Sequence, residues 1–127
     1  MHIVELIGRI FLSALFLIEG LGKISMKEDV IMYMEDYGVP SILFFPAVAL
    51  EILFPLLLIV GYKTKLSAIV LAAFTILLAV IFHTDFSSQI QLTQFLKNFA
   101  IAGGFLIIFA YGPNKYSIDY MLKSKQK

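Results

Sequence analysis

The sequence predicts an all-α integral membrane protein, a bundle of four transmembrane helices with both termini in the cytoplasm. Three observations carry that prediction. Of the 127 residues, 60% are hydrophobic and only 15% charged, whereas a soluble domain of this size carries roughly a quarter charged residues to cover its surface. The apolar residues arrive in long blocks, the mark of a chain whose solvent is lipid. The lysines, finally, collect in alternate connections between those blocks. A formal net charge of +1 gives no electrostatic ground for binding nucleic acid. Cysteine is absent, which excludes disulfides, thiolate chemistry and cysteine-held zinc or iron–sulfur centres. No linker, low-complexity tract or internal repeat divides the chain, so residues 1–127 are expected to form one domain.

The first block, IVELIGRIFLSALFLIEGLG, covers residues 3–22. A secretory signal peptide would need a basic n-region and a small-x-small cleavage site; this block has neither and contains Arg9. The second, ILFFPAVALEILFPLLLIV, covers 42–60, the third, LSAIVLAAFTILLAVIFH, 66–83, and the fourth, FLKNFAIAGGFLIIFAY, 95–111. Each is near the ~17–25 residues that a helix needs to cross the hydrocarbon core. Barrel strands would alternate over ~10 residues, a pattern missing here.

Orientation follows from the lysines. Lys63 and Lys65 lie between the second and third spans, and Lys115, Lys123, Lys125 and Lys127 follow the fourth. The link after the first span balances Lys23 and Lys27 against Glu28, Asp29, Glu35 and Asp36. Basic residues accumulate on the cytoplasmic side, which puts both termini there, in the cell (inner) membrane of a multi-pass protein. In the first outer link, Ser25 and Glu28 have capping-box spacing, and Gly38 and Pro40 form a stop signal. Residues 26–37 are therefore expected to form an amphipathic helix on the outer surface, or capping the bundle, rather than a solvated loop.

Charged groups at membrane depth cost about 2.5–3.5 kcal/mol each on insertion scales, so they usually face protein or a wet cavity. Arg9, Glu19 and Glu51 lie within spans, with Lys23, His83, Lys97 and Asn98 at span ends. Glu19 and Lys23 are an i, i+4 pair in the favourable order. At 100° per residue, Arg9 falls on the same side of the helix as both. Glu51 sits mid-span, and Pro55, four residues on, deprives its carbonyl of a helical partner, so a helix break is expected at Pro55. With the orientation above, Glu19, Lys23, His83, Lys97 and Asn98 gather in the outer half of the bundle. A polar intramembrane pocket opening outward is the functional reading. The structural alternative is that the charges only hold helices in register, a weak reason to carry them when interhelical polar contacts average below ~1 kcal/mol. For His83 and Lys97, snorkelling to the interface is a further alternative. Ala100, Gly103 and Gly104 read as small residues for close helix approach.

Taken in order, these residues resemble the DoxX family of small four-helix membrane proteins over almost the whole chain. The matching features are Arg9 with EGLGK at 19–23, Glu51, GYKTK at 61–65, FH at 82–83, KNFAIAGG at 97–104 and GPNKYSID at 112–119. The Ser/Gln-rich stretch at 84–94 departs from the pattern. The resemblance implies a membrane subunit of a quinone-linked oxidoreductase complex, connected with sulfur compounds or oxidative stress. A bound quinone is then the expected cofactor, with none intrinsic to the chain and no metal. The expected partners are the lipid bilayer, oxidoreductase subunits and a second copy of the chain. Lys97 and His83 would hydrogen-bond a quinone carbonyl or an anion, and Glu51 or Glu19 would exchange protons. Two alternatives stand beside it: a non-redox carrier or binding module for a small solute or lipid head group, and a purely structural assembly subunit.

Overall fold

The computed structural model describes residues 2–125 and is helical throughout, with no strand among the described residues. Among the described residues, six α-helices follow one another: α1 (His2–Ser25), α2 (Lys27–Asp36), α3 (Phe44–Val60), α4 (Thr64–Phe82), α5 (Gln89–Tyr111) and α6 (Ile118–Lys125). A single 3-10 turn, Ser41–Leu43, leads into α3. Among the described residues, three helical stretches are long and apolar enough to cross a membrane: Ser41–Val60, Thr64–Phe82 and Gln89–Tyr111. The helix α1 has the length, 24 residues, but carries Glu5, Arg9, Glu19 and Lys23 along it, and it is not among those three. Large apolar side chains such as Phe11, Ile18, Ile42, Phe45, Leu53 and Ile107 point outward, an exterior that only a lipid solvent satisfies at this density.

The long helices pack in a row, α1 on α3, α3 on α4 and α4 on α5, and the row closes only lightly between α5 and α1. That closure is local. A Cβ on Gly104 would lie 3.2 Å from a Leu12 methyl, and the Phe16 and Phe105 rings meet at 5.6 Å. Around this point sits the main core, with Leu58, Ala68, Leu71, Ala72 and Ala102 fully enclosed. A second core lies where α2 caps one end of the bundle, with Met34 set against Phe44, Val48 and Phe82.

Several local features differ from the sequence expectation. Ser25 does not cap α2; its hydroxyl donates back to the Gly22 carbonyl, and Met26 holds the N-cap position without a side-chain bond. The reason is that α1 runs on to Ser25, leaving only Met26 between the two helices. The helix α5 begins at Gln89, six residues before the expected 95, because Ser88 accepts from the Gln91 N–H as a true N-cap. At Pro55 the helix α3 continues without interruption. Proline removes one N–H, and tight packing around a fully buried ring holds the chain helical on either side.

Candidate functional site

Between the α1–α5 closure and the cap formed by α2 lies a cavity of about 550 Å³. Its walls are mainly apolar, from Leu15, Phe16, Val48, Phe74, Leu78 and Ile101 among others. Polar side chains interrupt them: Glu19 and Lys23 from α1, Tyr33 from α2, Thr75 from α4, His83 after α4, and Gln94, Lys97 and Asn98 from α5. The sequence-expected Glu19, Lys23, His83, Lys97 and Asn98 are all among them. Each stands within a turn or two of the helix end nearest α2 (Lys97 and Asn98 two turns into α5), which is why residues 80 positions apart meet. Tyr33 and Phe82 stack at 5.3 Å and Tyr37 meets Phe82 edge-on at 5.1 Å, roofing this end. Burial, with Tyr37 beside it, pushes the Tyr33 hydroxyl up to about 12, so it stays neutral at ordinary pH.

The polar groups differ in how they are held. Asn98 donates its amide to the Thr75 carbonyl at 3.4 Å, and Thr75 in turn donates to the Leu71 carbonyl, tying α5 to α4 beside the cavity. Lys23 does not pair with Glu19. It reaches Glu51 on α3 instead, Nζ to Oε1 at 2.5 Å, and Gly20 is the reason. A Cβ at Gly20 would stand 3.1 Å from Ile52 and 3.2 Å from Glu51, tighter than ordinary contact, so the bare backbone eases the close approach of α1 and α3 at this level. Glu51 is fully buried and its Oε2 has no protein partner. Lys23, partly exposed, links this carboxylate to the cavity that Glu51 itself does not line. Among the described residues, Glu19 and Lys97 take part in no ion pair. The cavity thus offers one free ammonium, one free carboxylate, an imidazole, two amides and two hydroxyls within a mainly apolar shell.

Arg9 stands apart from this group. A helical wheel reports direction around the axis but not height, and the ten residues from Arg9 to Glu19 are ~15 Å of helix. Arg9 is completely buried at the other end of the bundle, where its guanidinium donates to the Tyr116 carbonyl and lies 3.7 Å from Glu5. Asn114 donates to Glu5 and to the His2 carbonyl. From the same tail, Asp119 accepts from the N–H groups of Lys63 and Thr64 at 2.8 and 2.7 Å. It thereby caps α4 from 55 residues away. Gly61, at φ +75°, ends α3 with paired bonds from Gly61 and Tyr62 to the Leu58 and Leu57 carbonyls. Burial raises the Asp119 carboxyl, but hydrogen bonds from Thr64 and Lys63 outweigh it and hold the group below its ordinary value. The tail therefore locks onto the terminal end of the bundle, a role that sequence reasoning missed. The signals were the Gly at 61 and the Ser-x-Asp at 117–119, which resemble helix-end chemistry.

No group of three or more His, Cys, Asp or Glu side chains suited to a metal ion occurs among the described residues. The DoxX family model matches residues 4–84. The chain is 38% identical to the inner membrane protein YqjF of Escherichia coli K12, over 94% of this chain and 92% of that one. It is 31% identical to the inner membrane protein YphA of the same organism, over 90% and 86%. No solved structure matches the chain.

Proposed function

The chain belongs to the DoxX family of membrane proteins, and from that premise we propose that it is a four-span inner-membrane subunit of a quinone-linked oxidoreductase complex. Both termini face the cytoplasm in this reading, α1 is the fourth spanning helix, and the cavity opens toward the outer face. One observation carries the proposal: a cavity of about 550 Å³ whose apolar wall is broken by Glu19, Lys23, His83, Lys97 and Asn98. Its size is that of a small-molecule site, and apolar walls with few donors suit an apolar ring bearing carbonyl oxygens.

A quinone bound there would supply two-electron redox chemistry coupled to proton uptake. The chain's own residues would do the rest. Lys97 and His83 would donate hydrogen bonds to a ring oxygen, with the Lys97 charge favouring that oxygen electrostatically. Asn98, already tied to the Thr75 carbonyl, sets the position of α5 beside the ring. Glu19 can hold or release a proton at the cavity wall. Lys23 and Glu51, in contact at 2.5 Å, form a second proton-holding pair reached from the cavity through Lys23. Electrons come from partner subunits, since the chain has no thiol and its histidines, His2 and His83, lie at opposite ends.

A second reading is favoured by the unpaired opposite charges of Glu19 and Lys97 lining the same cavity: a carrier for a zwitterionic solute or lipid head group, with no redox step. Organic extraction of the purified protein, followed by chromatography and mass spectrometry, separates the two. The quinone reading predicts close to one quinone per chain. Retained lipid or solute without quinone overturns it and leaves the carrier reading standing.

A further inference from the structure

The terminal end of the bundle carries a second candidate site, independent of the cavity. The tail segment and α6 enclose a shallow groove of about 350 Å³ lined by Lys115, Tyr116, Tyr120, Met121, Ser124 and Lys125. Lys115 Nζ rests over the Tyr116 ring, 5.4 Å from its centre, a cation–π contact that holds the ammonium beside the groove.

Charge at this end is one-sided. Lys63, Lys65, Lys115, Lys123 and Lys125 all lie here, and among the described residues none is in an ion pair. The acidic groups nearby are Glu5 and Asp119, and both are occupied. Glu5 serves Arg9 and Asn114, and Asp119 caps α4. Among the described residues, no nearby carboxylate is therefore left over to pair with the lysines. The tail is also held in place: the Arg9 bond to Tyr116 and the Asp119 bonds to α4 pin it five and eight residues after α5 ends. A chain that spans a bilayer then keeps α6 at the headgroup level. That short helix exposes Met121 and Leu122 beside Lys123 and Lys125, a mixture of apolar and cationic groups suited to an interface rather than to water.

We propose that this groove is a binding site for the head group of an anionic phospholipid. The phosphodiester sits between Lys115 and Lys125, hydroxyls of Tyr116, Tyr120 and Ser124 line the groove around it, and the acyl chains run along Met121 and the exposed Tyr111. A zwitterionic lipid brings its own ammonium and gains little from the lysines. Free phosphate lacks the acyl contacts.

The test uses the full chain in a mild uncharged detergent, with dioleoylphosphatidylglycerol, dioleoylphosphatidylcholine and inorganic phosphate as probes. Native mass spectrometry reads retention, and a melting curve reads stabilisation. Phosphatidylglycerol is expected to be retained and to raise the melting temperature, and phosphatidylcholine to do neither. The double variant Lys115→Gln/Lys125→Gln is expected to weaken phosphatidylglycerol roughly tenfold or more with an unchanged helical circular dichroism spectrum, while Lys115→Arg/Lys125→Arg keeps it. If the double variant does not fold, Lys125→Gln alone, on an exposed last-turn residue, gives the same direction at roughly fivefold. Equal retention of phosphatidylglycerol by wild type and glutamine variants overturns the proposal. So does equal binding of phosphatidylcholine, or complete displacement by millimolar phosphate, which would mark a free-anion site.

Discussion

Replacing Lys23 by Met keeps the length and apolar stem of the side chain while deleting its charge. Glu51 then remains fully buried with no partner for either oxygen, since Oε2 is already alone. Breaking a buried ion pair from one side costs about 3–5 kcal/mol. Lys23 is 28% exposed along its side chain, so the cavity screens part of that, and a loss of about 2–4 kcal/mol is expected. Glu51→Gln should cost less, about 1–2 kcal/mol, because an amide oxygen still accepts from Lys23 and the freed ammonium can turn toward the cavity. Lys23→Met/Glu51→Leu removes both charges and should lie within about 1 kcal/mol of wild type, or above it. Reversible unfolding in mixed micelles, with the helical signal as readout, measures all four proteins. Single variants both within about 0.5 kcal/mol of wild type, or a double variant as unstable as Lys23→Met, would refute the pairing as a source of stability.

The other expectations are these. Gly61→Ala forces a side chain into a left-handed position where it meets Ser117 and stands 2.7 Å from an Arg9 nitrogen, so a loss of roughly 2–4 kcal/mol is expected from backbone and overpacking together. A melting temperature equal to wild type would show that the tail is not docked there. Asp119 has a folded pKa below its unfolded one, so its contribution is full above the unfolded pKa and fades as pH falls through the lowered folded value. Wild type should therefore lose more stability than Asp119→Asn between about pH 6 and about pH 3, and parallel curves would count against the cap. A reporter active only outside the cytoplasm, fused after Lys127, should stay silent; a strong signal reverses the proposed orientation.

Much of this was legible before any coordinates. Apolar blocks fix where α3 and α4 run because, in lipid, each backbone group must be satisfied within its own helix. Axial position along those blocks also brings Glu19, Lys23, His83, Lys97 and Asn98 to one cavity, since residues at the same level of a bundle have few other places to face. What sequence could not supply was the choice of partner. The local i, i+4 rule favours Glu19 for Lys23, but the close approach at Gly20 delivers Glu51, and a tertiary contact overrides the local one. Arg9 failed for a different reason: the wheel aligned it with Lys23 and ignored some 20 Å of rise. The docking of Asp119 onto α4 spans 55 positions and leaves no periodic trace.

In the proposed function, Lys97 works on a ligand and not on the fold. Titrating a short-tailed quinone into wild type and Lys97→Met, with melting curves on the same samples, tests it directly. Lys97 makes no ion pair among the described residues, so the variant should melt at or above the wild-type temperature. Quinone affinity should fall by the worth of one charge-assisted hydrogen bond, about 1.5–3 kcal/mol or roughly 10- to 150-fold in Kd. A Lys97→Met protein that unfolds readily, yet binds quinone normally in its folded fraction, would contradict the account.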